Sequence, residues 1–254
     1  MQGEFRVDAT RDTFNPNKHF YRALAQQGRV WLEADWNEQT NILLHYLQML
    51  GADLIGPHAG TNDNDFKIIF DDELKSDFLI NAGHYYVNGL LCELEPVEIE
   101  IVEFPAKNQV KVGAWSAQHF LLQKNQWLYL IDQKSSQPIL KKLVRLVKVE
   151  PAKQLLTLDL EDETWKKLFD DKVEGETLKI SLPLAYTAQP DYSAEKLKDD
   201  TYLIYLDVWE RHVTFIEDES DITPGIREVA LGGPDTTTRS KLVWQVKVKP
   251  VEKV

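Results

Sequence analysis

The spacing of hydrophobic and polar residues changes near residue 60, from a helical pattern to a strand pattern. Residues 17–27 are typical of a short helix that ends at Gly28. A longer helix is predicted from Trp36 to Ile55, because Asp35 occupies an N-cap position and Glu38 supplies the other half of a capping box. Apolar residues form one stripe on this helix, and we expect the stripe to be buried: Trp36, Leu43, Leu47, Leu50 and Leu54.

Gly28 allows a tight change of direction between these two helices. Residues 1–16 are polar and read as an arm. The sequence therefore predicts an N-terminal arm and helical hairpin over residues 1–60. Trp31 and Trp36 supply large apolar areas near the start of the second helix. They either fix the hairpin onto the rest of the chain or dock on a neighbouring subunit.

The stretch from Gly83 to Leu94 is the clearest strand signal. It contains Asn88-Gly89, which favours a tight hairpin because both turn positions need a positive φ. Pairing across this turn sets Val87 opposite Leu90, Tyr85 opposite Cys92 and His84 opposite Glu93. One face of the hairpin is then apolar.

Further strands follow without long helices between them. They are predicted at Gln126–Asp132, Leu143–Val149, Leu155–Leu160, Leu178–Leu182, Tyr202–Val208 (a central strand) and Leu242–Val248. A short amphipathic helix interrupts them at Asp162–Val173. We expect an α+β fold in which a mainly antiparallel β domain, a sandwich or distorted barrel over residues 61–254, follows the hairpin.

The charge balance narrows the range of partners. The chain has 254 residues and carries 29 Lys and Arg against 41 Asp and Glu, a formal net charge of −12. Such a field repels phosphate, so nucleic acid and anionic membrane surfaces are not expected partners. No run of residues approaches the roughly 20 apolar residues of a membrane span, so direct membrane insertion is not expected either. Cys92 is the only cysteine, which excludes an internal disulfide.

Candidate catalytic groups are few and scattered. His84 and Glu93 are the only pair placed side by side, and a surface cross-strand pair is the simpler interpretation. In Asp207-Val208-Trp209-Glu210-Arg211-His212, strand alternation separates Asp207 from Glu210 and His212, so these residues cannot form a triad. The sequence has no phosphate-binding, zinc or EF-hand spacing. We therefore expect no enzymatic activity, no cofactor and no tightly bound metal.

Two stretches carry a family resemblance. Residues Asp12–Phe20 and Gln26–Gln39 (QQGRVWLEADWNEQ) resemble the opening signature of a poorly characterised family, encoded among the genes of phage-tail-like contractile injection systems and related secreted particles. Tyr205–Val213 (YLDVWERHV) and Ile226–Thr236 (IREVALGGPDT), with Arg239, resemble its closing signature. Residues 96–190 carry no matching motif.

The resemblance implies a structural protein of an assembly. We expect a non-enzymatic subunit at the baseplate of a contractile particle, or in a cage or collar around it. Its partners would be other subunits, with several copies in a symmetric ring. It would be cytoplasmic within an assembled particle, which is either released or membrane-anchored.

Two other functions stay open at this point. One is a glycan- or surface-binding appendage, in which Trp115, Trp127 or Tyr192 would stack on the ligand. The other is an enzyme acting on cell-wall material, which would need two facing carboxylates about 5–10 Å apart.

Six residues are candidates for the subunit interface. Arg29 and Trp31 lie in the opening signature, and Arg227, Glu228, Asp235 and Arg239 lie in or beside the closing one. We expect Thr223–Arg239 to be an ordered loop, because its glycines and prolines restrict the backbone. The apolar centre of this loop, Val229-Ala230-Leu231, either contacts another subunit or packs beneath its own β domain.

Overall fold

The computed structural model describes most of the chain. The described residues are 11–71, 74, 76–113, 122, 124–133, 140–160, 177–190, 192, 194–198, 200–218 and 225–251. The chain divides into two compact units. The first contains residues 1–62, 84–93 and 199–254, and the second contains residues 63–83 and 94–198.

The described elements are mostly strands. In chain order they are α1 (Glu33–Ile55), β1 (His58–Gly60), β2 (Ile68–Ile69), β3 (Leu79–Ile80), β4 (Gly83–Val87), β5 (Leu90–Leu94), β6 (Val97–Ala106), β7 (Gln109–Val112), β8 (Trp127–Gln133), β9 (Leu140–Glu150), β10 (Leu155–Asp159), β11 (Thr177–Leu182), β12 (Leu184–Ala185), β13 (Tyr202–Val213), α2 (Phe215–Asp218) and β14 (Arg239–Pro250). The predicted helix at Asp162–Val173 lies outside the described residues.

The long helix is confirmed, but its predicted cap is wrong. Helix α1 begins at Glu33, and Leu32 is the N-cap residue. Asp35 therefore lies in the first turn, where its Oδ2 accepts a hydrogen bond from the Leu32 N–H at 3.2 Å. A carboxylate at this position satisfies a free backbone donor and interacts favourably with the helix dipole. Glu38 does not complete a capping box, because its carboxylate accepts from Thr13 Oγ1 at 2.7 Å.

The predicted first helix of the hairpin is wrong. Only Pro16–Lys18 forms a 3-10 turn, and His19 ends it with a left-handed φ of 53°. Residues 19–26 are irregular, and the chain turns at Gln26–Arg29. The Ala23 N–H donates to Gln39 Oε1 of α1 at 2.8 Å. This contact with α1 takes a backbone donor that a helix would use internally.

The hairpin around Asn88-Gly89 is confirmed. Strands β1, β4 and β5 form one sheet in that order, and both turn residues have positive φ, 48° and 76°. The turn contacts the middle of α1, where Gln48 Nε2 donates to the Asn88 carbonyl at 3.2 Å. A Cβ atom on Gly89 would lie 2.0 Å from the Gln48 carbonyl oxygen. Only glycine fits this contact.

Strands β13 and β14 form a long antiparallel ribbon, which corrects one prediction. Twelve residue pairs join them, from Tyr202↔Pro250 to Val213↔Arg239. Within the described residues, β13 pairs with β14 alone, so it is not a central strand. Trp244 Nε1 donates to the Glu93 carbonyl at 3.0 Å and so ties the ribbon to β5 within the first unit.

The second unit is built around a closed antiparallel barrel, with strand order β10-β7-β6-β11-β8-β9. Each strand directs two residues, spaced by two, into the interior, as strand alternation requires. These residues are Ile99, Ile101, Val110, Val112, Leu128, Leu130, Val144, Leu146, Leu156, Leu158, Leu178 and Ile180. The interior is therefore a packed aliphatic core.

A small outer sheet packs against this barrel within the second unit. Strands β12, β3 and β2 form it in that order. Leu79 of β3 packs on Tyr129 and Leu143, which point outward from β8 and β9. Beside it, the buried Tyr186 ring stacks on Phe78 at 4.7 Å. Two architectures were predicted for the β domain, a sandwich and a distorted barrel, and the structure contains a barrel. The α+β class is confirmed, but the predicted helical hairpin is not observed.

We expect Asp35→Ala to lower the free energy of unfolding by about 0.5–1 kcal/mol, because the helix loses a hydrogen-bond acceptor and a favourable charge in its first turn. Asp53→Ala is the matched control, because this exposed carboxylate lies near the C-terminus of the same helix, where the dipole disfavours it. Urea denaturation should show Asp53→Ala to be neutral or stabilising. Equal effects of the two substitutions would contradict the role given to Asp35.

A second test addresses the contact between the hairpin turn and α1. Gly89→Ala should cost roughly 1–3 kcal/mol more than Gly28→Ala in the same measurement. Both glycines have positive φ, but a Cβ atom on Gly28 meets nothing within 4 Å. The difference therefore reports the collision with the helix backbone alone, and equal costs would show that the turn does not pack as described.

Candidate interaction surface

One face of α1 is covered by the N-terminal segment, residues 13–31, which we call the covering segment. Ala34 and Ile42 on this face are almost fully buried. Besides the hydrogen bonds to Glu38 and Gln39, the Phe14 ring contacts the His45 ring with centroids 5.8 Å apart. The covering segment and the hairpin turn together hold α1 on the first unit.

The opposite face of α1 lies in solvent, so the expectation that the stripe is buried is wrong. Trp36 is 65% exposed, Leu47 63% and Leu54 77%, and Leu43 and Leu50 are also more than half exposed. Successive residues on a helix are separated by about 100°, which places this stripe opposite Ala34 and Ile42. The helix is amphipathic, but its larger apolar side chains are on the uncovered face.

A groove lies between the covering segment and α1. Its volume is about 640 Å³, and its lining includes Phe20, Leu24, Arg29, Trp31, Asp35 and Ile42. Two predicted interface residues, Arg29 and Trp31, are thus brought together with the start of α1. The Trp31 ring contacts the Trp36 ring at 6.4 Å, so the groove edge continues into the exposed stripe.

The second predicted interface region is an ordered loop, residues 225–239, which we call the Glu228 loop; Thr223 and Pro224 lie outside the described residues. The Glu228 carboxylate accepts from the Ala230 N–H at 2.9 Å and caps a 3-10 turn over Val229–Leu231. The Glu228 N–H donates to the Pro234 carbonyl at 3.1 Å, and the Gly233 N–H donates to the Glu228 carbonyl at 2.9 Å. These bonds fix the shape of the loop.

The apolar centre of the Glu228 loop points outward. Val229 is 74% exposed and Leu231 is 70% exposed, so the alternative that they pack beneath the β domain is wrong. The arginines brace the loop: Arg227 lies over the Phe215 ring at 4.2 Å, and Arg239 Nη1 donates to the Thr238 carbonyl at 3.1 Å. The loop therefore presents two apolar side chains on a supported backbone.

The remaining predicted interface residue, Asp235, is exposed just beyond the turn. The six candidates belong to two different stretches of the first unit: Arg29 and Trp31 to one, and Arg227, Glu228, Asp235 and Arg239 to the other. The structure thus places the six candidates on two surfaces, each with its own apolar side chains.

The candidate catalytic groups do not assemble into a site. His84 Nε2 lies 3.7 Å from Glu93 Oε1, and both side chains are more than half exposed, as expected of a surface pair. Asp207 pairs with Lys247 across the ribbon. Arg211 pairs with Glu217 at 2.9 Å, and the pKa of that carboxyl is lowered by the Thr214 N–H and by Arg211. The carboxylates of Glu93, Asp207 and Glu217 thus each pair with a neighbouring basic side chain at the surface.

Cysteine and metal chemistry find no support in the described part of the chain. Cys92 is fully buried, and burial raises the pKa of its thiol to about 11, which keeps it protonated and unreactive at neutral pH. Among the described residues, no group of three or more His, Cys, Asp or Glu side chains could hold a metal ion. Within the same residues, no helix has the length and apolar character needed to cross a membrane.

Two of the three proposed glycan-stacking residues are packed against their own unit. Trp127 is partly buried against the outer cluster of the barrel, and Tyr192 lies edge-on to Tyr186 with ring centroids 6.0 Å apart. Trp115 lies outside the described residues. Both Trp127 and Tyr192 are thus partly buried.

Sequence reasoning missed the groove, because it assigned residues 17–27 to a helix. The apolar side chains of Phe20, Tyr21, Leu24 and Val30 are all exposed. Phe20, Tyr21 and Leu24 are spaced as on a helix face, so the sequence contains no signal for an irregular segment here.

Comparison with known proteins gives one result. Residues 1–118 and 185–251 match the model of a family of unknown function, DUF6519. No curated protein and no solved structure matches the chain. The matched segments contain α1, the hairpin, the ribbon and the Glu228 loop, whereas β8 to β11 lie between them. Since the matched segments cover well over half of the sequence, the chain belongs to DUF6519, a family of unknown function.

Proposed function

We propose that this chain is a non-enzymatic structural subunit of a contractile, phage-tail-like particle, placed at the baseplate or in a cage or collar around it. It binds other subunits of that particle and is present in several copies around the symmetry axis. It is made in the cytoplasm and acts as part of the assembled particle, without a cofactor.

The observation that carries this proposal is the apolar area left in solvent on α1 and the Glu228 loop. Contiguous exposed apolar surface of this kind marks protein–protein contact sites. Both surfaces belong to the segments that match the family. Among the described candidate groups, by contrast, His84 pairs with Glu93, Asp207 pairs with Lys247, and Cys92 is buried.

The contractile setting is supported by the resemblance of the two signatures. The opening signature forms the groove and the start of α1, and the closing signature forms β13 and the Glu228 loop. The stretches that resemble proteins of contractile systems thus include the groove, Trp36 and the Glu228 loop, and the leucines of the α1 stripe follow directly after the opening signature.

The proposal predicts that the chain sediments with contractile particles, and that Val229→Thr with Leu231→Thr lowers its incorporation by at least about tenfold. Both side chains are exposed in the single chain, so the double variant should fold normally. Incorporation is measured by mass spectrometry of particles purified from cells that express the tagged chain.

Val102→Thr with Val147→Thr is the matched control, because both valines are partly exposed on barrel strands. This variant should enter particles like the unmodified chain. If the unmodified chain does not sediment with particle subunits, the proposed function fails. If both variants enter particles equally, the Glu228 loop is not the contact surface.

A further inference from the structure

We infer that α1 is a self-association helix, through which copies of this chain join along a heptad seam. The inference deepens the proposed function and rests on it for its biological setting. The seam consists of Trp36, Thr40, Leu43, Leu47, Leu50 and Leu54, and we call it the α1 seam. Its successive spacings are four, three, four, three and four residues, which is the a/d pattern of a coiled coil.

Thr40 is the one polar member of the seam, and the structure shows how it is accommodated. Its Oγ1 donates to the Trp36 carbonyl at 3.1 Å, one turn earlier in the same helix. The hydroxyl is thus satisfied without a partner molecule. Burying Thr40 in a helix–helix contact therefore leaves no unpaired polar group, and the seam stays continuous for the apolar residues on either side.

The seam occupies the strip of α1 that the first unit leaves open. The covering segment contacts Ala34, Glu38, Gln39 and Ile42, and the hairpin turn contacts the opposite flank at Gly51, where a Cβ atom would lie 3.2 Å from Gly89 Cα. The a/d positions lie between these two supports. The helix is therefore held from behind while its seam faces solvent over about 27 Å, the rise from Trp36 to Leu54.

The exposed area matches what a stable interface needs. Seven exposed apolar side chains lie on or beside the seam: Trp36, Leu43, Leu44, Tyr46, Leu47, Leu50 and Leu54. With an exposed area on the order of 100 Å² each, they offer about 700 Å², close to the roughly 800 Å² that one partner contributes to a standard interface. This area exceeds the roughly 300–600 Å² of the largest apolar patch on a typical monomer.

The chemistry of the seam favours a second copy of this chain over a different protein. Charged residues at the e and g positions select partners in coiled coils. Here these positions are Asn37, Gln39, Leu44, Tyr46, Gly51 and Asp53, and α1 contains no Lys or Arg. A seam of leucines with nearly uncharged flanks is complementary to itself, because leucine at a and d packs against leucine. It carries no charge pattern that would require a foreign helix.

The test is the mass of the purified full-length chain in solution, measured by sedimentation velocity across a range of concentrations. At tens of micromolar we expect a multiple of 29.3 kDa. Leu47→Gln with Leu50→Gln should weaken association by at least about 100-fold, because two layers of the seam are lost in every copy. Glutamine is chosen because it preserves helix propensity.

Met49→Gln with Ile55→Gln is the matched control, with two apolar side chains of the same helix that lie off the a and d positions. It should associate like the unmodified chain. A monomer at 100 micromolar for the unmodified chain would overturn the inference, as would unchanged association of the seam variant. Circular dichroism of each variant separates lost association from lost folding.

A second variant keeps the inference testable if the seam variant unfolds. Thr40→Leu removes the polar layer at the loss of the Thr40 Oγ1 hydrogen bond to the Trp36 carbonyl, and it should tighten association roughly tenfold or more. Unchanged or weaker association would contradict the seam. Failure of this inference is distinct from failure of the proposed function. A monomeric chain that still enters particles would overturn self-association alone. A chain that self-associates but is absent from particles would overturn the proposed function alone.

Discussion

The contact between the Asn88-Gly89 turn and α1 determines how the first unit is arranged. The turn approaches the helix backbone so closely that Gly89 has no space for a side chain, and Gln48 donates to the Asn88 carbonyl. A helix held through its backbone at one flank keeps a fixed rotation about its axis. The side that faces solvent is therefore set by this contact, together with the covering segment.

Strands were predictable from the sequence wherever a short-range signal specified them. Asn88-Gly89 identifies its hairpin because only a few residues tolerate positive φ. The aliphatic alternation in β8 to β11 identifies strands because it fills one interior. The covering segment was not predictable, since its Ala23 N–H is satisfied by the side chain of Gln39, sixteen residues away on α1. Local propensity does not include such contacts.

For the two candidate surfaces, the sequence predicted which residues lie together but not whether they face solvent. The stripe on α1 could be identified from periodicity, because spacing alone defines a helix face. The exposure of this stripe could not be predicted, because periodicity shows which residues share a face. It does not show which face the rest of the chain covers. In α1 the small residue Ala34 and the single Ile42 are covered, while the leucines are outside. For the Glu228 loop, the turn residues predicted order, but the outward direction of Val229 and Leu231 required the structure.

The barrel interior bears on how members of this family can differ. Strands β8 to β11, between the two matched segments, supply two thirds of its inward residues, and the matched segments supply Ile99, Ile101, Val110 and Val112. A partial deletion between the segments would leave those four side chains facing water. A chain that exchanges these two thirds of the barrel would therefore need a complete replacement that closes the sheet over β6 and β7.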